Sequence, residues 1–357
     1  MVFGFGRKKQ QVTFKQRVAE FWEWYPTVAE QYFNAIEDGT FDDLAPEFSE
    51  LVEQKLPTMC WVFGPGEGGG HSFTLTGEGV RPRQLLTQYW CQQAPEIPGW
   101  TFYSSRQGSD RERLDGVGIQ ISENEQVDVN SFLIRTDVDA ENEKIHITAW
   151  HPAYENVPDE HHMQILFLLL DEALGEFGTE MWIGNIEVEP VEAGEHVRSL
   201  VDLPEFIRQM NEYHKWEKLE PLDSFTMYEI GKQSRHRRGD VFVGTTCIPG
   251  VIEDFLENNG RLRPDPLEGT GAELLYVRID GSVFPSGSEM HVRGNIEDTL
   301  DDALRSQASG RILGGAMGTE FGYIDVLIFD GEESRRIIEE TLNNLQLQGR
   351  SAIESFA

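Results

Sequence analysis

Two segments near the C-terminal end constrain this chain more than any other feature, because read as strands they are apolar on both faces. In 273–280, Leu275, Val277 and Ile279 fall on one side and Leu274 and Tyr276 on the other; in 321–330, Ile324, Val326 and Ile328 oppose Tyr323, Leu327 and Phe329. Side chains alternate along a strand, so a sheet covered by helices on one side only should show polar residues on the other. A sheet of this kind needs two covers. The expectation is that its open face packs on the other domain or on a second copy of the chain, as a homo-oligomer. From Glu273 to the end the elements read β-α-β-β-α-β, the order of a ferredoxin-like sandwich with helices on one face of an antiparallel sheet. The chain as a whole reads as α+β, two domains of antiparallel or mixed sheets.

A length of 357 residues suits about two domains. Thr13 followed by Gln16 has the form of a capping box, and apolar residues at helical spacing run on to Ile36. Pro26 predicts a kink or break within that helix. The stretch 60–77 reads as strand, glycine-rich turn and strand, and the apolar run 163–174 as a buried helix. Between Glu189 and Leu203, EPVEAGEHVRSLVDL loses periodicity and carries Pro, Gly and charge. The predicted division is therefore an N-terminal α+β domain over 12–188, a linker over 189–203 and a C-terminal ferredoxin-like domain over 204–357.

Charge excludes some partners. There are 62 Asp and Glu against 30 Lys and Arg, a formal net charge of −32, so the surrounding field repels phosphate backbones and anionic lipid. Direct nucleic-acid or membrane binding is not expected. Apolar residues at 39% are enough for folded cores. No run approaches about 18 consecutive apolar residues and the first residues lack the pattern of a secretory signal, so a cytoplasmic protein is expected. Cys60, Cys91 and Cys247 show no CxxC spacing and read as buried thiols. The eight lysines and 22 arginines beside so many acids also fit a saline habitat as the source of the charge.

Catalytic motifs are missing. GPGEGGGHS (64–72) lacks the Lys-Ser/Thr ending of a phosphate loop and a helix directly after it, so it reads as a hairpin tip, with ligand gating by His71 as the minority reading. The glycines of 310–322 fit a turn between strands. His146, His151, His161 and His162 lie near Asp159 and Glu160, yet no HExxH spacing joins them. They read as ordinary surface histidines, and no metal or cofactor is expected. RHRRGD (235–240) is the densest basic cluster in the chain and falls in a predicted hairpin. Arg235 and Arg237, with His71, are the candidate contacts for an anionic ligand.

FWEWY (21–25), APEIPGWTF (94–102) and FLLLDEALGE (167–176) together resemble the N-terminal module of an uncharacterised bacterial family, over about residues 14–188. Some members of that family end in a domain similar to the ribonuclease E inhibitor, an acidic ferredoxin-like regulator. The resemblance implies a regulatory binding role and transfers no catalytic residue. The leading expectation is thus a non-enzymatic, acidic protein that meets a basic protein partner. The alternative is a small-molecule-binding protein or enzyme with its site in a cleft between the domains. A structural subunit of a homo-oligomer is the third reading.

Overall fold

The computed structural model describes residues 12–122, 125–190, 197–216, 220–230 and 237–357. It is an α+β chain that divides into two compact units. The first is discontinuous and joins 1–102 to 225–357, while the second is the intervening segment 103–224.

The first unit opens with α1 (Phe14–Trp24), which Thr13 caps by accepting from the Gln16 N–H while the Gln16 side chain accepts from the Thr13 N–H. Pro26 ends it in a short 3-10 turn before α2 (Ala29–Glu37), and α3 (Ala45–Lys55) follows. Next come β1 (Cys60–Pro65), β2 (His71–Thr76), α4 (Arg81–Gln92) and β3 (Trp100–Tyr103), the strands forming a sheet in the order β1-β2-β3. The core here is a cluster of stacked and edge-on rings that includes Phe21, Tyr25, Phe48, Phe73 and Trp90.

The second unit holds α5 (Arg111–Leu114), β4 (Gly118–Ser122), β5 (Glu125–Asp128), β6 (Leu133–Asp139), β7 (Lys144–Trp150), α6 (Asp159–Leu174), α7 (Gly178–Trp182), β8 (Ile183–Val188), β9 (Val197–Ser199) and α8 (Leu203–His214). Its main sheet runs β8-β7-β6-β9, with β8 parallel to β7. Ile134, Ile145, Ile147 and Ala149 turn inward onto Leu166 and Leu170 of α6. The predicted linker is corrected here. Within 189–203, β9 pairs with β6, and Leu200, Val201 and Leu203 are buried in this core. Pro and charge were weak evidence for a boundary because short edge strands tolerate both. Helix α6 is also not wholly buried, since Phe167 is 41% and Leu168 54% exposed.

The chain returns to the first unit with β10 (Thr226–Glu229), β11 (Val241–Thr246), α9 (Pro249–Glu257), β12 (Glu273–Asp280), α10 (Glu289–Ser306), β13 (Gly310–Gly318), β14 (Phe321–Ile328), α11 (Gly331–Asn344) and β15 (Ser351–Ser355). These strands form one antiparallel sheet in the order β10-β11-β13-β14-β12-β15. On one face Leu275, Val277, Ile324 and Val326 pack beneath Ile296 and Leu300 of α10 and Ile337 and Ile338 of α11.

The other face, expected to pack on the other domain or on a second copy, is covered by α1 and α4 of the predicted N-terminal domain and by α9, all within the first unit. Phe329 stacks against Phe14 of α1 and Tyr89 of α4, with ring centroids 6.2 and 4.3 Å away, and Phe255 of α9 meets Tyr276 and Phe356. The Lys15 N–H donates to the Phe329 carbonyl at 2.9 Å. Tyr276, Tyr323 and Leu327 are consequently buried.

Candidate functional site

Of the predicted ligand residues, His71 lies on a strand and Arg237 in the turn before β11. His71 lies on β2 with Nε2 3.0 Å from Glu37 Oε1 and its ring against Phe33 and Trp100. The loop before it is pinned rather than gated: the His71 N–H donates to the Gly99 carbonyl, and a Cβ on Gly70 would stand 2.3 Å from the Gly99 oxygen. Arg237 donates from Nη1 to the Ser355 carbonyl on β15. Arg235 falls outside the described residues.

Of the four histidines weighed as ligands, His161 is an exposed surface group as expected, and the other three are held by the fold. His162 is buried, stacks on Tyr154 at 4.0 Å and has Nε2 2.7 Å from the Val157 carbonyl. His151 is buried too; its Nδ1 accepts from the Ala153 N–H, and its Nε2 faces the Asp128 carboxylate, 3.5 Å from Oδ2. His146 accepts from the Asn185 N–H at Nδ1, a contact that only a glycine at 184 permits. Among the described residues no three His, Cys, Asp or Glu side chains converge as a metal site. No disulfide forms, and Cys60 is exposed where a buried thiol was expected.

Sequence reasoning passed over the most unusual polar group. Arg238, the neighbour of the two arginines singled out, is buried, and its Nη1 lies 2.6 Å from Oδ1 of Asp325, which is wholly buried on β14. Burial works to discharge the guanidinium, but the Asp325 carboxylate beside it outweighs this and holds it charged. Rings of Tyr276, Tyr323 and Phe356 surround the Arg238 guanidinium at 5.0 to 5.3 Å. Arg238 Nη2 also donates to the hydroxyl of Tyr228 on β10, whose own pKa burial pushes up to about 12. Asp240 accepts from the Tyr323 hydroxyl at 2.5 Å and from the N–H groups of Glu320 and Phe321, closing the β13–β14 turn. The available signal was one carboxylate, Asp325, in the middle of an apolar strand.

Glycines let this network approach the sheet, and they lie inside a strand rather than in the expected turn. Tyr228 lies where a Cβ on Gly244 would be, 2.4 Å from the ring. On the opposite face Arg293 and Glu297 of α10, with Nε and Oε1 2.9 Å apart, sit over Gly315 of β13. Burial raises the Glu297 pKa against the pull of Arg293. The network has its ion pair, Arg238 and Asp325, sealed from water. It ties β10 and β11 to the sheet.

That attachment leaves a ledge. Among the described residues, none of β10 enters the core under α10 and α11, and β11 reaches it only at its margin through Val243. On the α10 side the ledge presents Met227, Glu229, Val243 and Thr245, because Met227 pairs with Thr245 and Glu229 with Val243. Met227 is 66% exposed, and Phe225, which alternation places on the same side, is 51% exposed. The outer faces of α10 and α11 carry exposed Asp298, Asp302, Glu332, Glu333, Glu339 and Glu340. Their exposed arginines are already paired, Arg305 with Asp301 and Arg336 with Glu333 and Glu340.

Concavities lie elsewhere among the described residues. A cleft of about 160 Å³ between α4 and β13 is lined by Gln88, Tyr89, Gln92, Arg305, Arg311 and Phe329. A groove of about 530 Å³ on the polar face of the four-stranded sheet is lined by Arg135, Asp137, His146, Thr148, Asn185 and Glu187. No described helix is long and apolar enough to cross a membrane. Comparison with protein families, curated proteins and solved structures finds no match.

Proposed function

We propose that this chain is a non-enzymatic, acidic regulatory protein of the cytoplasm that binds a basic protein partner. The reading is carried by the outer faces of α10 and α11, where exposed carboxylates stand beside arginines already neutralised within their own helices. Such a surface speeds encounter with a cationic protein and discourages anionic ones. The order β12-α10-β13-β14-α11-β15, with β12 central between β14 and β15, supports a ferredoxin-like unit extended by β10 and β11. Affinity capture on the full chain from native lysate checks the reading. The expected result is a saturable partner released as salt rises; the reading is wrong if capture is unsaturable or indifferent to salt.

A second reading, small-molecule binding, is favoured by the cleft beside Arg305 and Arg311, which no carboxylate lines. Carboxylate and phosphate metabolites that raise the melting temperature in a concentration-dependent way would select it, and a flat panel would remove it.

A further inference from the structure

We propose that the uncovered lane beside α10 receives one basic amphipathic helix of the partner protein, an inference that rests on the acidic-regulator reading and locates its binding site. The lane has the width of one helix. Neighbouring strands lie about 4.8 Å apart, so β10 and β11 leave roughly 10 Å of sheet beyond α10, and packed helices sit about 8–10 Å apart. Its floor is Phe225, Met227, Val243 and Thr245, and its wall is the flank of α10 carrying Met290, Gly294 and Glu297. Met290 is 52% exposed, and a Cβ on Gly294 would meet nothing within 4 Å. A glycine on a helix flank facing open space lets a second helix approach closely. Methionines on both floor and wall adapt to an apolar stripe.

Charge sets the sign of the occupant. Among the described residues, Glu229 on the floor and Asp298 on α10 bring negative charge to the lane, and Arg293 beside it is already paired with Glu297. An apolar stripe flanked by Lys or Arg therefore fits, in the helix-in-groove mode. A strand added to the β10 edge is the weaker fit, because β10 is only four residues long.

The test uses the full chain and a labelled Leu/Ala/Lys helical peptide of about 18 residues, or five turns. Its two comparators are a Leu/Ala/Glu counterpart and the Lys peptide with two central prolines. Only the Lys helix should bind, read by fluorescence anisotropy. Met227→Asp and Gly294→Arg should each weaken it at least about tenfold, and Glu339→Gln on α11 by less than about twofold. Met227→Asp is the sharper variant, because it adds negative charge: simple electrostatic adsorption would make binding tighter. Gly294→Arg should keep its melting temperature, since arginine is the better helix former. No binding of the Lys helix, equal binding of the proline peptide or unchanged affinity in both lane variants would each overturn the proposal. If the lysate partner stays salt-sensitive but ignores Gly294→Arg, the lane fails and the acidic-regulator reading stands. If salt-sensitive capture is lost as well, both fall.

Discussion

The two main sheets meet the problem of having two faces in opposite ways. In the four-stranded sheet Ile134, Ile145, Ile147 and Ala149 face α6, while Arg135, Asp137 and His146 line the groove on the other face. Charges there are solvated and cost little. Around β12 and β14 the six-stranded sheet is apolar and covered on both faces, so its one central carboxylate, Asp325, has no water and depends on Arg238. A buried charge is tolerable only with its counter-charge in place, whereas an exposed pair is nearly dispensable. The first sheet can vary its polar residues freely. The second cannot change one without the other.

This contrast can be broken most directly at the ion pairs. Arg238→Met should cost about 3–5 kcal/mol in urea unfolding because it strands Asp325, while Arg135→Met, removing the exposed contact with Glu189, should cost less than about 1 kcal/mol. Comparable losses in the two variants would end the comparison. Glycine positions come next. Gly315→Val places a Cβ about 2.3 Å from Glu297 Oε1 and 2.5 Å from the Tyr323 carbonyl, so the melting curve should show a loss of about 1–3 kcal/mol from overpacking. In the same helix layer, Gly294→Ala should instead stabilise by about 0.5–1 kcal/mol, since the position is open and helical. Destabilisation by Gly294→Ala would mean the lane is filled.

The smallest effect concerns pH in the second unit. Burial tends to raise the Asp128 pKa, but hydrogen bonds from Ser131 and the contact with His151 more than offset it, and the carboxyl is held below its ordinary value. A depressed acid stabilises the fold above its unfolded pKa of about 3.9 and loses that contribution as pH falls through the folded value. The stability gap between the natural chain and Asp128→Asn should therefore be full near neutral pH and shrink below about pH 4. A gap that widens on acidification would reverse the assignment.

Local signals were legible in the sequence. The Thr13–Gln16 box, the break at Pro26 and strands 144–150 and 273–280 follow from spacing and alternation within a few residues. The two-sided apolar character of β12 and β14 was equally readable, and with it the need for two covers. What supplies the second cover was not, because Phe14 of α1 and Tyr89 of α4 lie far more than 200 residues before Phe329, with a whole unit inserted between them. At the candidate site the basic cluster was noticed, but periodicity ranks Asp325 as an interruption and cannot pair it with Arg238, 87 residues earlier. The ledge was invisible for the same reason: strand exposure depends on sheet order, which is a non-local property.

Amide hydrogen exchange on the full chain, with and without the Lys-rich helical peptide, reaches the central claim most directly. Slowed exchange confined to β10 and the Met290–Glu297 flank of α10 is the predicted result; protection spread over the acidic surface of α11, or none at β10, would contradict it.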